Sequence, residues 1–183
     1  MSRGLVRVDA GVRRVDAGKD IARLLLRCAV GSTMIAHGLR HGRSIEGTGR
    51  WFGSIGFREP RLQAQTSAVV EVGAGSALVL GAATPLAAAS VVGTMAVAAR
   101  SVHQPNGFFI NAEGYEYVMN LAIATTALAA LGPGRWSVDR LLGTDERWSG
   151  PAAGALAAGL GLGGAAAQLA MFWTRPPATP KSP

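Results

Sequence analysis

Glu71 stands midway along an apolar stretch running from Leu62 to Gly81. A charge at the centre of a membrane helix costs about 2.5–3.5 kcal/mol on insertion scales, so a carboxyl placed there needs a proton, a cationic partner or a task. At helical spacing Ser67, Gly75 and Leu78 fall on its face, which makes that face polar and small. Comparable groups punctuate the other apolar stretches: Arg27 and His37 in the first, Ser90, Thr94 and Ser101 in the third, Glu116 and Asn120 in the fourth. His103 and Asn106 lie in the connection before the fourth. Arg27, His37, Glu71, His103, Asn106, Glu116 and Asn120 therefore make a candidate polar seam, least costly if all face a shared interior. Two roles suit it. Glu71 and Glu116 could act as acid or base with His37 as a hydrogen-bond donor, a set suited to proton-coupled chemistry or a quinone-type partner. Equally, these groups could be internal ion pairs and hydrogen bonds that fix which helix faces meet. The sequence assigns no catalytic residue.

Within the seam, Arg27 is the expected charge partner of Glu71. Glu71 lies about 15 Å from the inner end of its stretch and Arg27 about 9 Å from the inner end of its own. A guanidinium side chain spans that offset of about 6 Å, whereas His37 is shorter and stiffer. His37 is then expected in an outer group with Glu116 and His103.

His37 and His41 are spaced i, i+4, and with His103 and Glu116 they make a conceivable ligand set. With 3 histidines in all and no ExxH, HExxH or CxxCH pattern, no metal site is assigned. Cys28, the single cysteine, excludes an internal disulfide or a CxxC pair, and its place inside the first apolar stretch suits a packing role. No phosphate loop, nucleophile triad or cofactor fingerprint is visible, so no cofactor is evident from motifs.

The elements that must position these residues follow from how charge is distributed. Of 183 residues, 49% are hydrophobic and 16% charged, and the charges concentrate in short segments between long runs of Ala, Val, Leu, Ile and Gly. That is how a multi-pass membrane protein reads. A formal charge of +7 raises nucleic acid as a partner, but the basic residues flank apolar runs instead of lining one amphipathic face, which argues against it. Among the 18 basic residues all but Lys19 and Lys181 are Arg, so GC-rich coding accounts for part of the basicity.

The expected fold class is all-α: an antiparallel four-helix transmembrane bundle plus a fifth transmembrane helix. The four spans are Ile21 to Gly38 with Asp20 as N-cap, Leu62 to Gly81, Pro85 to Ser101, and Gly114 to Leu131 closed by Gly132-Pro133-Gly134. Gly81 to Pro85 is expected as a tight hairpin. The fifth is 151–173, rich in Ala and Gly, with Gly159 and Gly163 spaced for close helix approach. Residues 1–20, with Arg7-Val8-Asp9-Ala10-Gly11 echoed by Arg14-Val15-Asp16-Ala17-Gly18, are expected as a basic, loosely ordered tail, and 174–183 as a disordered one. Arg23 and Arg27 interrupt the first run, and no small-x-small site follows, so it is expected to stay uncleaved. Trp51, Phe52, Ile55 and Phe57 among Arg43, Arg50 and Arg58 suggest a short interfacial helix. The His103 to Phe109 segment should fold back as a compact cap at headgroup level. Basic residues near the first span favour an N-terminus on the inside.

The ordered set His37-Gly38, Glu71, the Gly81 to Pro85 hairpin, His103-Gln104-Pro105-Asn106-Gly107-Phe108-Phe109, Gly114-Tyr115-Glu116-Tyr117 and Gly132-Pro133-Gly134-Arg135-Trp136-Ser137-Val138-Asp139 resembles DoxX-type membrane proteins over residues 21–143. The resemblance implies a four-helix bundle in a bacterial inner membrane. It also implies association with redox or oxidative-stress complexes, the founding members being linked to the small subunit of a thiosulfate:quinone oxidoreductase. Quinone is the cofactor that this reading leaves room for, with a soluble redox enzyme, the lipid bilayer and a second copy of the chain as partners. Two other functions remain open: a small-solute transporter whose path is the polar seam, disfavoured by the absence of an evident inverted repeat, and a structural or assembly protein without catalysis. The fifth apolar segment and the long basic N-terminal tail depart from the family pattern.

Overall fold

The computed structural model describes residues 3–147 and 149–177, with side chains from residue 17 onward. Seven helices are present among these: α1 (Arg3–Arg43), α2 (Ile45–Ser54), α3 (Pro60–Leu80), α4 (Thr84–Ala98), α5 (Glu116–Leu131), α6 (Val138–Leu141) and α7 (Pro151–Phe172). α4 runs on through one π turn, Ala99–His103, and a short 3-10 turn, Gln104–Asn106.

The all-α expectation agrees with this architecture, but the expected four transmembrane helices with a fifth are corrected. Among the described residues only two helices are long and apolar enough to cross a membrane, Thr84–Asn106 and Pro151–Phe172. The reason lies in composition and length. α1 is interrupted by Arg23, Arg27, His37 and Arg40, α3 begins with Arg61, Gln63 and Gln65 and carries Glu71, and α5 has 16 residues. The helix holding the first apolar run begins at Arg3, so Asp20 lies inside a helix and is no N-cap. The tail expected over 174–183 lies outside the described residues beyond 177.

α1 packs chiefly on α3, and α4 packs on α7, α5 and α3. Arg27, Val30, Met34 and Gly38, buried on α1 with Gly31 beside Val30, recur every three or four residues and so form one stripe. Small residues set the distance to α3: a Cβ on Gly31 would stand 2.6 Å from the Gly75 carbonyl oxygen, and one on Gly75 the same distance from the Gly31 oxygen. That antiparallel contact fixes the register, placing Arg27 beside the C-terminal end of α3 and His41 beside its first half. The main core joins Val30 and Met34 to Leu78, Val91, Met95, Val118 and Leu128. A second cluster, Ala88, Ala89, Ala129 and Ala157, lets α7 lie close on α4 and α5. Outward-facing Leu25, Val69, Ile123 and Leu160 leave the flanks apolar, at 64%, 72%, 59% and 51% exposure.

The expected hairpin between the second and third stretches is present. Gly81 caps α3 with φ of 65°, and a Cβ there would meet the Ser137 Cβ at 2.5 Å and the Arg27 guanidinium carbon at 2.7 Å. A left-handed turn without a side chain is what this junction requires.

Candidate functional site

The seam residues divide into separate groups along the bundle. At the end where α3 finishes, the Arg27 side chain donates four hydrogen bonds: Nε to Leu78 O at 2.9 Å, Nη2 to Val79 O at 2.6 Å, and Nη1 to Pro133 O at 2.8 Å and to Trp136 O at 2.7 Å. The first two acceptors are carbonyls of the last turn of α3; Leu78 O also accepts from the capping Gly81 N at 3.0 Å, while Val79 O lies past the last i to i+4 bond of the helix. A cation there also meets the negative end of the helix dipole. Asp139 does the converse at the start of α4: its carboxylate accepts from Ala83 N at 2.7 Å, Thr84 N at 3.0 Å and Thr84 Oγ1 at 2.8 Å. With Asp139 N donating to Gly81 O at 2.9 Å, the two charges fasten the segment after α5 onto the α3–α4 hairpin. Asp20, also buried, accepts from Arg23 at 3.1 Å and from Arg135 N at 3.3 Å nearby.

The expected Arg27–Glu71 pair is therefore corrected. Glu71 is 2% exposed and sits seven residues before Leu78, about 10 Å away along the helix. Its partners are His41, with Nδ1 3.1 Å from Oε1, and Ser67, whose hydroxyl donates to the same oxygen. Ser67 Oγ also lies 3.3 Å from His41 Nδ1, closing a three-membered network. The second carboxyl oxygen, Oε2, is buried without a hydrogen-bond partner among the described residues.

α2 roofs this network. Its N-cap Ser44 accepts from Gly47 N at 3.2 Å, and Thr48 Oγ1 donates to His41 O at 3.1 Å, tying the helix back to the end of α1. These anchors bring Trp51 to 6.2 Å from the His41 ring at 34° and Phe52 to 6.0 Å at 74°. Phe52 stacks in turn on Phe57 at 5.5 Å. The far side of the roof is stitched to the end of α7: Arg58 N donates to Phe172 O at 2.7 Å, Thr174 N to Gly56 O at 3.0 Å and Trp173 Nε1 to Ile55 O at 2.8 Å. Arg100 lies 4.8 Å above the Trp173 ring.

His37, exposed, touches this group through its ring, 6.4 Å from that of His41. His103, Asn106 and Glu116 belong instead to the cap before α5. His103 Nδ1 lies 2.7 Å from Glu113 O, Asn106 Nδ2 donates to the same oxygen at 3.4 Å, and Glu116 Oε2 accepts from Ile110 N at 3.1 Å. Phe108 packs edge-on against Phe109 and Tyr115, while Gly107 has φ of 81°. Asn120 is exposed on α5, in none of these groups. Among the described residues no three His, Cys, Asp or Glu side chains gather to hold a metal ion.

Sequence reasoning places Ser67 on the face of Glu71 and His41 in a conceivable ligand set, but it makes neither of them a partner of Glu71. Both carried a signal: Ser67 lies one turn before Glu71, and His41 one turn after His37. Chemically, the network is a carboxyl and an imidazole sharing a hydrogen bond, with one carboxyl oxygen spare and flat apolar rings overhead. It can hold or pass a proton and can accept a hydrogen bond at Oε2.

Comparison with known proteins falls on the same part of the chain. A family model described as DoxX matches residues 22–104, the segment that holds His41, Trp51, Phe52, Ser67 and Glu71. The Bacillus subtilis (strain 168) protein named "Putative oxidoreductase CatD" is 32% identical over 119 residues, covering 62% of this chain and 87% of that protein. No solved structure matches the chain.

Proposed function

This chain belongs to the DoxX family of membrane proteins, and on that premise we propose that it is a multi-pass subunit of a bacterial inner membrane that anchors a soluble redox enzyme and exchanges protons with a quinone at His41, Ser67 and Glu71. One observation carries the reading: Glu71 is buried, its Oε1 is held by His41 and Ser67, and its Oε2 is left without a partner. A buried polar atom without a hydrogen bond is costly and rare, which points to a ligand group that would complete it. The word oxidoreductase in the relative's name agrees in reaction class.

The residues fit such a ligand. Oε2 would accept from a hydroxyl of the reduced ring, and Trp51 with Phe52 would supply apolar ring faces. A bound quinone supplies the two-electron, two-proton couple. Glu71 would exchange a proton with such a group at Oε2, and the hydrogen bond between Oε1 and His41 Nδ1 would connect the carboxyl to the imidazole. The His41 side chain is 21% exposed against 3% for Glu71, so the imidazole links the buried acid to the outside. Ser67 is a positioning residue that orients both.

The test is native co-purification from membranes, followed by lipid extraction and in-membrane crosslinking. Wild-type protein is expected to retain quinone and to crosslink to a soluble redox enzyme, and Glu71→Gln to lose the quinone while keeping the enzyme. A quinone-free preparation with no redox enzyme among its crosslinks would overturn the proposal.

A further inference from the structure

The outer side of α2 carries a second feature, distinct from the acid–imidazole network. α2 turns Gly49 and Gly53 toward the start of α3: a Cβ on Gly49 would stand 3.4 Å from the Arg61 Cα, and one on Gly53 3.7 Å from the Pro60 ring. A cavity of about 340 Å³ opens at this contact, floored by Ile45, Gly49, Gly53 and Pro60. Glu46, Arg50 and Arg61 rim it. All three rim side chains are exposed, and the ion pairs found among the described residues use other groups. The first turn of α3, whose N–H groups have no helical acceptor, borders the same rim and adds the positive end of a helix dipole. Trp51 and Leu62, at 43% and 52% exposure, follow Arg50 and Arg61 in the chain, a pairing of apolar and basic residues suited to a bilayer interface.

We propose that this groove binds a phospholipid whose headgroup carries a phosphate together with a hydrogen-bond donor. Charge complementarity selects the occupant. Arg50 and Arg61 take the phosphate, Glu46 takes the donor, and the glycine-lined floor takes the start of an acyl chain. Phosphatidylglycerol supplies hydroxyl donors and phosphatidylethanolamine an ammonium, whereas the headgroup of phosphatidylcholine has no donor for Glu46. A free phosphate ion would use the two arginines but leave the floor empty.

Native mass spectrometry of the full chain in detergent, titrated with each of the three lipids and with inorganic phosphate, tests this directly. Phosphatidylglycerol and phosphatidylethanolamine are expected to bind at about tenfold lower concentration than phosphatidylcholine, a difference of about 1.4 kcal/mol. Arg50→Gln with Arg61→Gln should weaken all three lipids together, since all carry the phosphate, and Gly53→Leu, which fills the floor, should do the same. Equal binding of the three lipids by wild-type protein, or inorganic phosphate binding as tightly as the lipids, would overturn the proposal. Should the double variant fail to fold, Glu46→Gln decides: it must narrow the gap to phosphatidylcholine, and an unchanged gap removes the assignment.

Discussion

Replacing Arg27 by Met tests the charge assignment that differs most from expectation. The native guanidinium makes four hydrogen bonds of 2.6–2.9 Å to main-chain carbonyls. At about 1.5–3 kcal/mol for each bond from a charged donor, the gross loss is about 6–12 kcal/mol. Relief of the desolvation of a side chain that is 2% exposed returns several kcal/mol, leaving a net loss of about 3–5 kcal/mol. In thermal unfolding of the purified protein in detergent, that corresponds to a fall in Tm of about 6–20 °C. Arg27→Lys should lose less, because an ammonium keeps the charge but cannot reproduce the planar fork. In a double-mutant cycle with Glu71→Gln the two losses should add to within about 0.5 kcal/mol, because the sites share no partner. A loss under about 1 kcal/mol for Arg27→Met, or a coupling above that size with Glu71→Gln, would refute the reasoning.

Asp139→Asn keeps the shape of the α4 cap but removes its charge and one acceptor, so unfolding measurements should show a loss of about 1–2 kcal/mol; an unchanged Tm would detach Asp139 from that role. Gly75→Val places side-chain carbons against the Gly31 carbonyl, so it should sharply lower the yield of folded protein, and normal yield would mean that α1 and α3 do not approach as described. Trp173→Leu removes the hydrogen bond to Ile55 and the stacking on Arg100. Limited proteolysis should then cut faster between Ser54 and Glu59, and unchanged cleavage would show that the end of α7 does not hold the roof.

Turn chemistry made much of the fold readable. Gly81 with Pro85, and Gly132-Pro133-Gly134, mark chain reversals at the places where the helices end. The aromatic cluster at Trp51 to Phe57 likewise marks α2 and its connection. The number of spanning helices was not readable from apolar runs alone, because Ala, Gly and Ser lengthen a run without making it strongly apolar, and Arg23, Arg27 and Glu71 weaken α1 and α3 further. Glu71 could be seen to need a partner, but the partner depends on helix register, which backbone contacts at Gly31 and Gly75 set. Pairing charge with charge leaves out the carbonyls of the last turn of α3, which lack helical partners, and Leu78 O and Val79 O among them hold Arg27. His41 lies beyond the apolar run that ends at Gly38, yet α1 continues to Arg43 and brings its ring to Glu71.

The central claim is that Glu71 and His41 meet a quinone beneath Trp51, and binding to the purified chain in nanodiscs measures it most directly. A soluble quinone analogue should quench tryptophan fluorescence saturably, with most of the quench lost in Trp51→Phe. Glu71→Gln should weaken the apparent Kd by about tenfold, the equivalent of one hydrogen bond of about 1.4 kcal/mol. A quench that never saturates, or a Kd unchanged in Glu71→Gln, would contradict the account.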